Sequence, residues 1–378
     1  MKHKIACVVG ARPNFMKMAP LIEALQAYPE QLDLGLVHTG QHYDQRLSGL
    51  LFEQLELPDP DVYLDSGSGS LAEQTGRVMV AFEDYCQDEK PDLVLVVGDV
   101  NSTLACALSG SKAGIPVAHV ESGLRSRDRT MPEEINRAVT DSVSDLLFTT
   151  CREADDNLIA EGISREKIHF VGNVMIDSLK KFLPKSRRPP ILDRLGDSDP
   201  FGIITLHRPA NVDHPDILRS FVNTFQELSE NLPLIFPTHP RTAKQLREIG
   251  YEEIVDLNER GVTLGNSEVW LAPPLGYLEF IYLLNRATLV LSDSGGIQEE
   301  ATVLGTPCLT LRENTERPIT LEMGANVLVG RDPQVIRENF MRVLGNGRRD
   351  PIIPEKWDGG SSEEIARILV EWLPKHSK

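Results

Sequence analysis

The 378-residue chain has no run of 18 or more apolar residues, so no membrane-spanning helix is expected. Positive charge is scarce: 39 Lys and Arg stand against 56 Asp and Glu, a formal net charge of −17. Duplex nucleic acid and anionic membranes are poor partners for such a surface, because phosphate binding needs clustered Lys and Arg. A small anionic substrate stays open, since a few Arg and a helix N-terminus can override the global charge. The five cysteines (Cys7, Cys86, Cys106, Cys151, Cys308) are odd in number and scattered, with no CxxC or metal-ligand spacing. Free thiols in a reducing cytoplasm are the expectation. The N-terminal apolar run is too short for a secretory signal and breaks at Gly10, so it reads as a buried first strand. Neither a GxGxxG turn nor a Walker loop is present, so no dinucleotide is indicated.

What is present is a rhythm. Short Val-, Ile- and Leu-rich runs at 4–9, 34–38, 93–97, 117–120 and 146–149 are bounded by Gly, Pro or Asp and read as buried parallel strands. Helical patterns lie between them, such as 19–27 and 102–113, with Ser102 as a candidate N-cap. The rhythm restarts with runs at 201–206, 234–237, 262–264, 288–291, 308–311 and 327–329. Between the two sets, 180–200 carries four prolines and mixed charge and reads as a linker. The fold class is therefore α/β: two Rossmann-like, doubly wound domains facing a cleft. The expected division is 1–180, 181–360 and a closing helix at 361–378 that packs back on the first domain.

In such sheets ligands bind at the carboxyl ends of the strands, so the residues after each strand carry the functional argument. After the first strand, Arg12 and Lys17 put two cations at a helix start, an anion site or a solvated turn. Asp99 follows the third strand, either as a turn residue or as a reactive carboxylate. Glu121 ends a buried strand, where an ionised carboxylate needs a partner; Arg125 is the candidate. Glu133 and Glu134 open a helix at Pro132, and one of them can be a simple complement to the helix dipole. Asp99, Glu121 and Glu133 thus converge on one sheet edge, and carboxylates in different environments can run acid and base steps at one pH.

In the second half, His207 sits at a strand end, and His239 follows the next strand with a weaker case. Ser294, Gly295 and Gly296 form a turn into a helix whose backbone N–H groups can cradle a diphosphate. Glu300, a turn later, is placed for ribose hydroxyls, and Arg317 adds a cation. The economical ligand is a nucleotide with a 5′-diphosphate.

These segments, in this order, resemble the non-hydrolysing UDP-N-acetylglucosamine 2-epimerase family. The resemblance runs from Gly10-Ala11-Arg12-Pro13 through Gly98-Asp99, His119-Val120-Glu121-Ser122-Gly123-Leu124-Arg125, Pro132-Glu133-Glu134-Ile135-Asn136-Arg137 and His207-Arg208 to Asp293-Ser294-Gly295-Gly296 and Thr315-Glu316-Arg317-Pro318. It implies a glycosyltransferase-B type fold, a homodimer, a UDP-sugar substrate, and no metal or nicotinamide cofactor. It also implies reversible interconversion of UDP-GlcNAc and UDP-ManNAc by elimination of UDP to a 2-acetamidoglucal and re-addition. Asp99, Glu121, Glu133 and His207 match the family's catalytic residues. Arg12, Lys17, His207, Ser294, Gly295, Gly296, Glu300 and Arg317 match its substrate site. The alternatives are a glycosyltransferase of the same architecture and an epimerase of a related UDP-2,3-diacetamido sugar. Ala11 and Asn14 stand where the family has Thr and Glu. Some members hold a second UDP-GlcNAc near a Gln-His segment; Gln41 and His42 match it, with Arg77 and His239 as further candidates, but Tyr43-Asp44 departs from the pattern.

Overall fold

A parallel strand covered on both faces has to be apolar throughout, and Leu93–Val97 meets that demand with all five residues buried. It is the central strand of a seven-stranded sheet in the computed structural model. The structure describes every residue except Met1, 41–44, Ser68, 197–198, Glu253, 255–256, Glu259, Ala325, Arg349, Pro351 and 377–378. This first sheet contains β1 (His3–Val9), β2 (Leu32–His38), β3 (Val62–Tyr63), β4 (Leu93–Val97), β5 (Val117–Ser122), β6 (Leu146–Thr149) and β7 (Ile168–Phe170). Its order is β3-β2-β1-β4-β5-β6-β7, parallel throughout. The winding reverses between β1 and β4, which places the binding crevice at their carboxyl ends.

The second sheet contains β8 (Gly202–Thr205), β9 (Leu234–Pro237), β10 (Val262–Thr263), β11 (Val269–Ala272), β12 (Leu289–Ser292), β13 (Cys308–Thr310) and β14 (Asn326–Leu328). Its order is β10-β11-β9-β8-β12-β13-β14, parallel except for β10. Here the winding reverses between β8 and β12. Met1–Lys181 with Glu355–Lys378 forms one compact unit, and Phe182–Pro354 forms the other.

Three elements differ from the sequence reading. The helix expected from residue 19 begins at Arg12 and runs to Gln26, straight through Pro20. Proline removes the N–H that would bond the carbonyl four residues back. That carbonyl, on Met16, instead accepts a hydrogen bond from Ser178 Oγ. Second, the helix Asn101–Lys112 starts after Val100, so Ser102 lies inside the first turn rather than capping it.

Third, the proline-rich segment is not merely a linker. Pro190–Arg194 forms a 3₁₀ turn, and its Ile191 and Leu192 join Phe201, Ile203 and Ile235 in a core of the second unit. Ile191→Ala is expected to lower that unit's stability by about 2–5 kcal/mol, read from denaturant unfolding of the whole chain.

The chain returns to the first unit before the closing helix. Trp357 is fully buried, and its Nε1 donates to the carbonyl of Thr150 at 2.9 Å. Lys356 Nζ donates to the carbonyl of Phe170 at 2.9 Å. The helix Ser361–His376 then packs on the helix Arg12–Gln26. Its start is held by Asp177, which accepts from the backbone N–H of Ser361 and Ser362 at 3.3 and 2.6 Å. No helix among the described residues is long and apolar enough to cross a membrane. The five cysteines are buried and unbridged.

Candidate active site

At the carboxyl edge of the first sheet, Gly10 turns β1 into the helix Arg12–Gln26, which Arg12 opens. A Cβ at Gly10 would lie 2.9 Å from Ser102 Cβ, so only glycine fits the turn. Asn14 accepts from the Ala11 N–H at 3.0 Å and donates to the Val97 carbonyl at 2.8 Å. A carboxylate could not donate that second bond, which gives the Asn in this motif a physical reason.

One turn on, Lys17 is 4% exposed and pairs with Glu121, itself 3% exposed. A buried carboxylate stays ionised only with such a partner. Glu121 sits at a β-bulge where the β5–β6 register shifts, with a left-handed φ of 70°. That conformation is costly for a non-glycine residue and persists where the surroundings over-determine it. Arg125 is not the partner of Glu121: its Nη2 lies 2.7 Å from Asp141 Oδ2, and its Nε donates to Glu161 at 2.9 Å.

Asp99 follows β4 and is held by Arg137, which is 1% exposed. The same guanidinium reaches Glu134 at 2.9 Å and the carbonyl of Leu124 at 3.2 Å. Asn136 donates to the Asp99 carbonyl at 3.0 Å. The two glutamates at the start of the helix Pro132–Val143 separate cleanly. Glu134 is buried and accepts from the N–H groups of Ser126 and Arg127 at 3.0 and 2.9 Å. Glu133 is half-buried, and its side chain makes no hydrogen bond or ion pair with the described residues. His119 lies on β5, with Nδ1 2.7 Å from Asp141 and Nε2 2.7 Å from the Gly98 carbonyl. Burial alone would raise the Asp141 carboxyl, but His119 and Arg125 outweigh it and hold the group below the ordinary range.

The second unit builds a different edge. After β12, Asp293 is fully buried. It accepts from the backbone N–H of His207 and Arg208 at 3.1 and 2.9 Å, and from Asn211 Nδ2 at 3.1 Å. His207 Nδ1 lies 2.9 Å from Asp293 Oδ1, and the His207 side chain is 44% exposed. With Nδ1 engaged, Nε2 is the nitrogen left for a ligand. Burial pushes the Asp293 carboxyl up, but His207 and the N–H donors outweigh it and hold it at about 2. Its contribution is therefore complete above the ordinary value of 3.8 and is lost as pH falls through about 2. Asp293→Asn should lower thermal stability at neutral pH, and its acid-unfolding profile should lack the decline that this carboxylate gives the wild type in that window.

The helix Gly295–Leu304 starts beside this aspartate. A Cβ at Gly295 would lie 2.8 Å from Glu316 Oε1. The Ser294 N–H is already bonded to Ser292 Oγ at 3.0 Å. Gly295 and Gly296 N–H have no intrahelical acceptor by position and are the orphan donors. Arg317 is committed to carboxylates, with Nε 2.8 Å from Glu299 and Nη1 on Glu316. Glu316 also takes Arg312 at 2.7 Å. Burial works against the Glu316 charge, yet Arg317 and Arg312 hold its carboxyl well below the ordinary range. Glu300 accepts from the Tyr277 hydroxyl at 2.8 Å.

The residues proposed for a second UDP-sugar are only partly placed. His239 caps the helix Pro240–Glu248, its ring centroid 6.2 Å from that of His207. Arg77 Nε donates to the carbonyl of Ser66 at 2.6 Å in the first unit. Gln41 and His42 lie outside the described residues.

His119, Arg137, Asp141 and Asp293 are supporting residues to which the sequence reading gave no role. Most lie inside the motifs it quoted, and only contact shows which neighbour each one holds.

The chain has counterparts among known proteins. A family model described as UDP-N-acetylglucosamine 2-epimerase matches residues 23–370. The UDP-N-acetylglucosamine 2-epimerase of Methanocaldococcus jannaschii is 41% identical over 373 residues, covering 97% of this chain and 99% of that protein. The UDP-2,3-diacetamido-2,3-dideoxy-D-glucuronate 2-epimerase of Pseudomonas aeruginosa is 42% identical over 372 residues, covering 97% and 99%. The crystal structure of Methanocaldococcus jannaschii UDP-GlcNAc 2-epimerase in complex with UDP-GlcNAc and UDP matches with a TM-score of 0.87 at 40% identity, covering 97% of this chain and 99% of that one.

Proposed function

This chain belongs to the UDP-N-acetylglucosamine 2-epimerase family, an isomerase with a glycosyltransferase-B type fold, and on that premise we propose that it inverts C2 of UDP-N-acetylglucosamine by elimination and re-addition of UDP. The observation that carries the reading is the trio of carboxylates at the edge of the first sheet. Glu121 pairs with Lys17, Asp99 is held by Arg137, and the Glu133 side chain makes no bond with the described residues.

The C2 proton of this sugar is not next to a carbonyl, so simple deprotonation is unfavourable. Elimination avoids that difficulty. The C1–O bond breaks, UDP leaves with the electron pair, a carboxylate takes the C2 proton, and a C1=C2 double bond forms. Re-addition reverses each step, with the proton delivered to the opposite face of C2. The chemistry needs a proton acceptor on one face and a donor on the other, and the trio supplies carboxylates in three different environments. Departing diphosphate needs positive ends of dipoles, and the Gly295 and Gly296 N–H groups at a helix start are groups of that kind.

A second substrate is favoured by one observation: the diacetamidoglucuronate epimerase is as similar to this chain as the UDP-GlcNAc enzymes. Incubation with each UDP-sugar, followed by proton NMR, separates the readings. The expected result is an equilibrium mixture of UDP-GlcNAc and UDP-ManNAc. Conversion of the uronate alone would move the assignment to that substrate. Stoichiometric free ManNAc with UDP would point to hydrolysis, and an unchanged pair would contradict the epimerase reading.

A further inference from the structure

His119 is completely buried, two residues before Glu121 on β5. Both of its ring nitrogens face acceptors at 2.7 Å: a carboxylate oxygen of Asp141 and the carbonyl oxygen of Gly98. A carbonyl cannot donate, and an ionised carboxylate is acceptor-only. The ring meets both contacts only by donating from both nitrogens, as an imidazolium. Asp141 is held as an ionised acceptor facing the ring, since its second oxygen also takes Arg125 and the Gly123 N–H, at 2.7 and 3.1 Å.

The two ends of this contact are informative. Gly98 is the turn residue before Asp99, and its N–H is fixed by the Val120 carbonyl at 3.0 Å. A Cβ on Gly98 would lie 3.1 Å from Lys17 Nζ and 3.9 Å from Glu121 Oε2. The turn therefore rests against the Lys17–Glu121 pair. Asp141 lies on the helix Pro132–Val143, which also carries Glu133 and Arg137. One imidazole thus joins the three elements that bear Asp99, Glu121 and Glu133.

We propose that His119 is a positioning residue for the proton-transferring carboxylates, clamping the Gly98–Asp99 turn to the Glu133 helix by donating from both ring nitrogens. This inference rests on the epimerase reading, and its test keeps the two apart. In wild-type protein labelled with ¹⁵N-histidine, NMR at neutral pH should show the buried imidazole with a proton on each nitrogen. One protonated nitrogen overturns the clamp whatever the enzyme's activity. His119→Gln presents an oxygen to either Asp141 or Gly98 and breaks one contact. Its kcat should fall about 10–100-fold, as sub-ångström misplacement of reacting groups does, with KM and UDP affinity unchanged. Asp141→Asn should behave alike. In the His119→Gln, Asp141→Asn double variant the two amides can pair, so part of the lost turnover should return. Wild-type turnover in His119→Gln would refute the clamp. A wild-type enzyme that epimerises no UDP-sugar would refute the epimerase reading, and the NMR result would still decide the clamp.

Discussion

Glu121→Gln is expected to cut the turnover number for C2 epimerisation by about 10²–10⁴-fold, the range for removing a general acid or base. Glutamine keeps the shape of the side chain and can still accept from the Lys17 ammonium. It cannot take or return a proton. Affinity for UDP should be preserved, because the Gly295 and Gly296 N–H groups proposed for the diphosphate are untouched by this substitution. Some stability will be lost, since Lys17 is left buried without its counter-charge. Circular dichroism and a UDP titration separate that effect from lost chemistry. Lys17→Met is the companion, because it removes the ammonium that pairs with Glu121. Turnover within a few-fold of wild type in both variants would remove Glu121 from the proton transfers.

Arg137→Met is expected to destabilise the first unit by about 3–5 kcal/mol, the usual cost of breaking a buried ion pair from one side, and to depress turnover as well. This guanidinium is 1% exposed and serves Asp99, Glu134 and the Leu124 carbonyl at once. Its loss strands the Glu134 carboxylate, which also holds the N–H groups of Ser126 and Arg127. Lysine at this position keeps the charge but not the fork, so Arg137→Lys should fall between the two. Denaturant unfolding reads the first effect and steady-state kinetics the second. A loss below about 1 kcal/mol would be that of a surface pair and would contradict the network described here.

The periodic apolar runs disclosed both doubly wound sheets because parallel strands advertise burial on both faces. The short strands β3, β7 and β11 were not among the runs read from the sequence. Pro20 hid the start of the first helix, since the bond that tolerates it comes from Ser178, far along the chain. Ile191 and Leu192 were masked by the prolines around them, although they pack as core. At the site, residue types at strand ends pointed to Asp99, Glu121 and Glu133. Partner choice did not follow from sequence proximity. Arg125, four residues from Glu121, serves Asp141, while Lys17, on the helix Arg12–Gln26, serves Glu121. Which of Glu133 and Glu134 is engaged was likewise settled by contact, because adjacent helical residues point in different directions.

The central claim is that these carboxylates exchange the C2 proton with solvent during each inversion. Incubating the enzyme with UDP-GlcNAc in D₂O and reading C2 by proton NMR tests it directly. The account predicts that every molecule of UDP-ManNAc formed carries deuterium at C2, and that Asp99→Asn and Glu121→Gln suppress the exchange along with the inversion. UDP-ManNAc that keeps its original C2 hydrogen would contradict it.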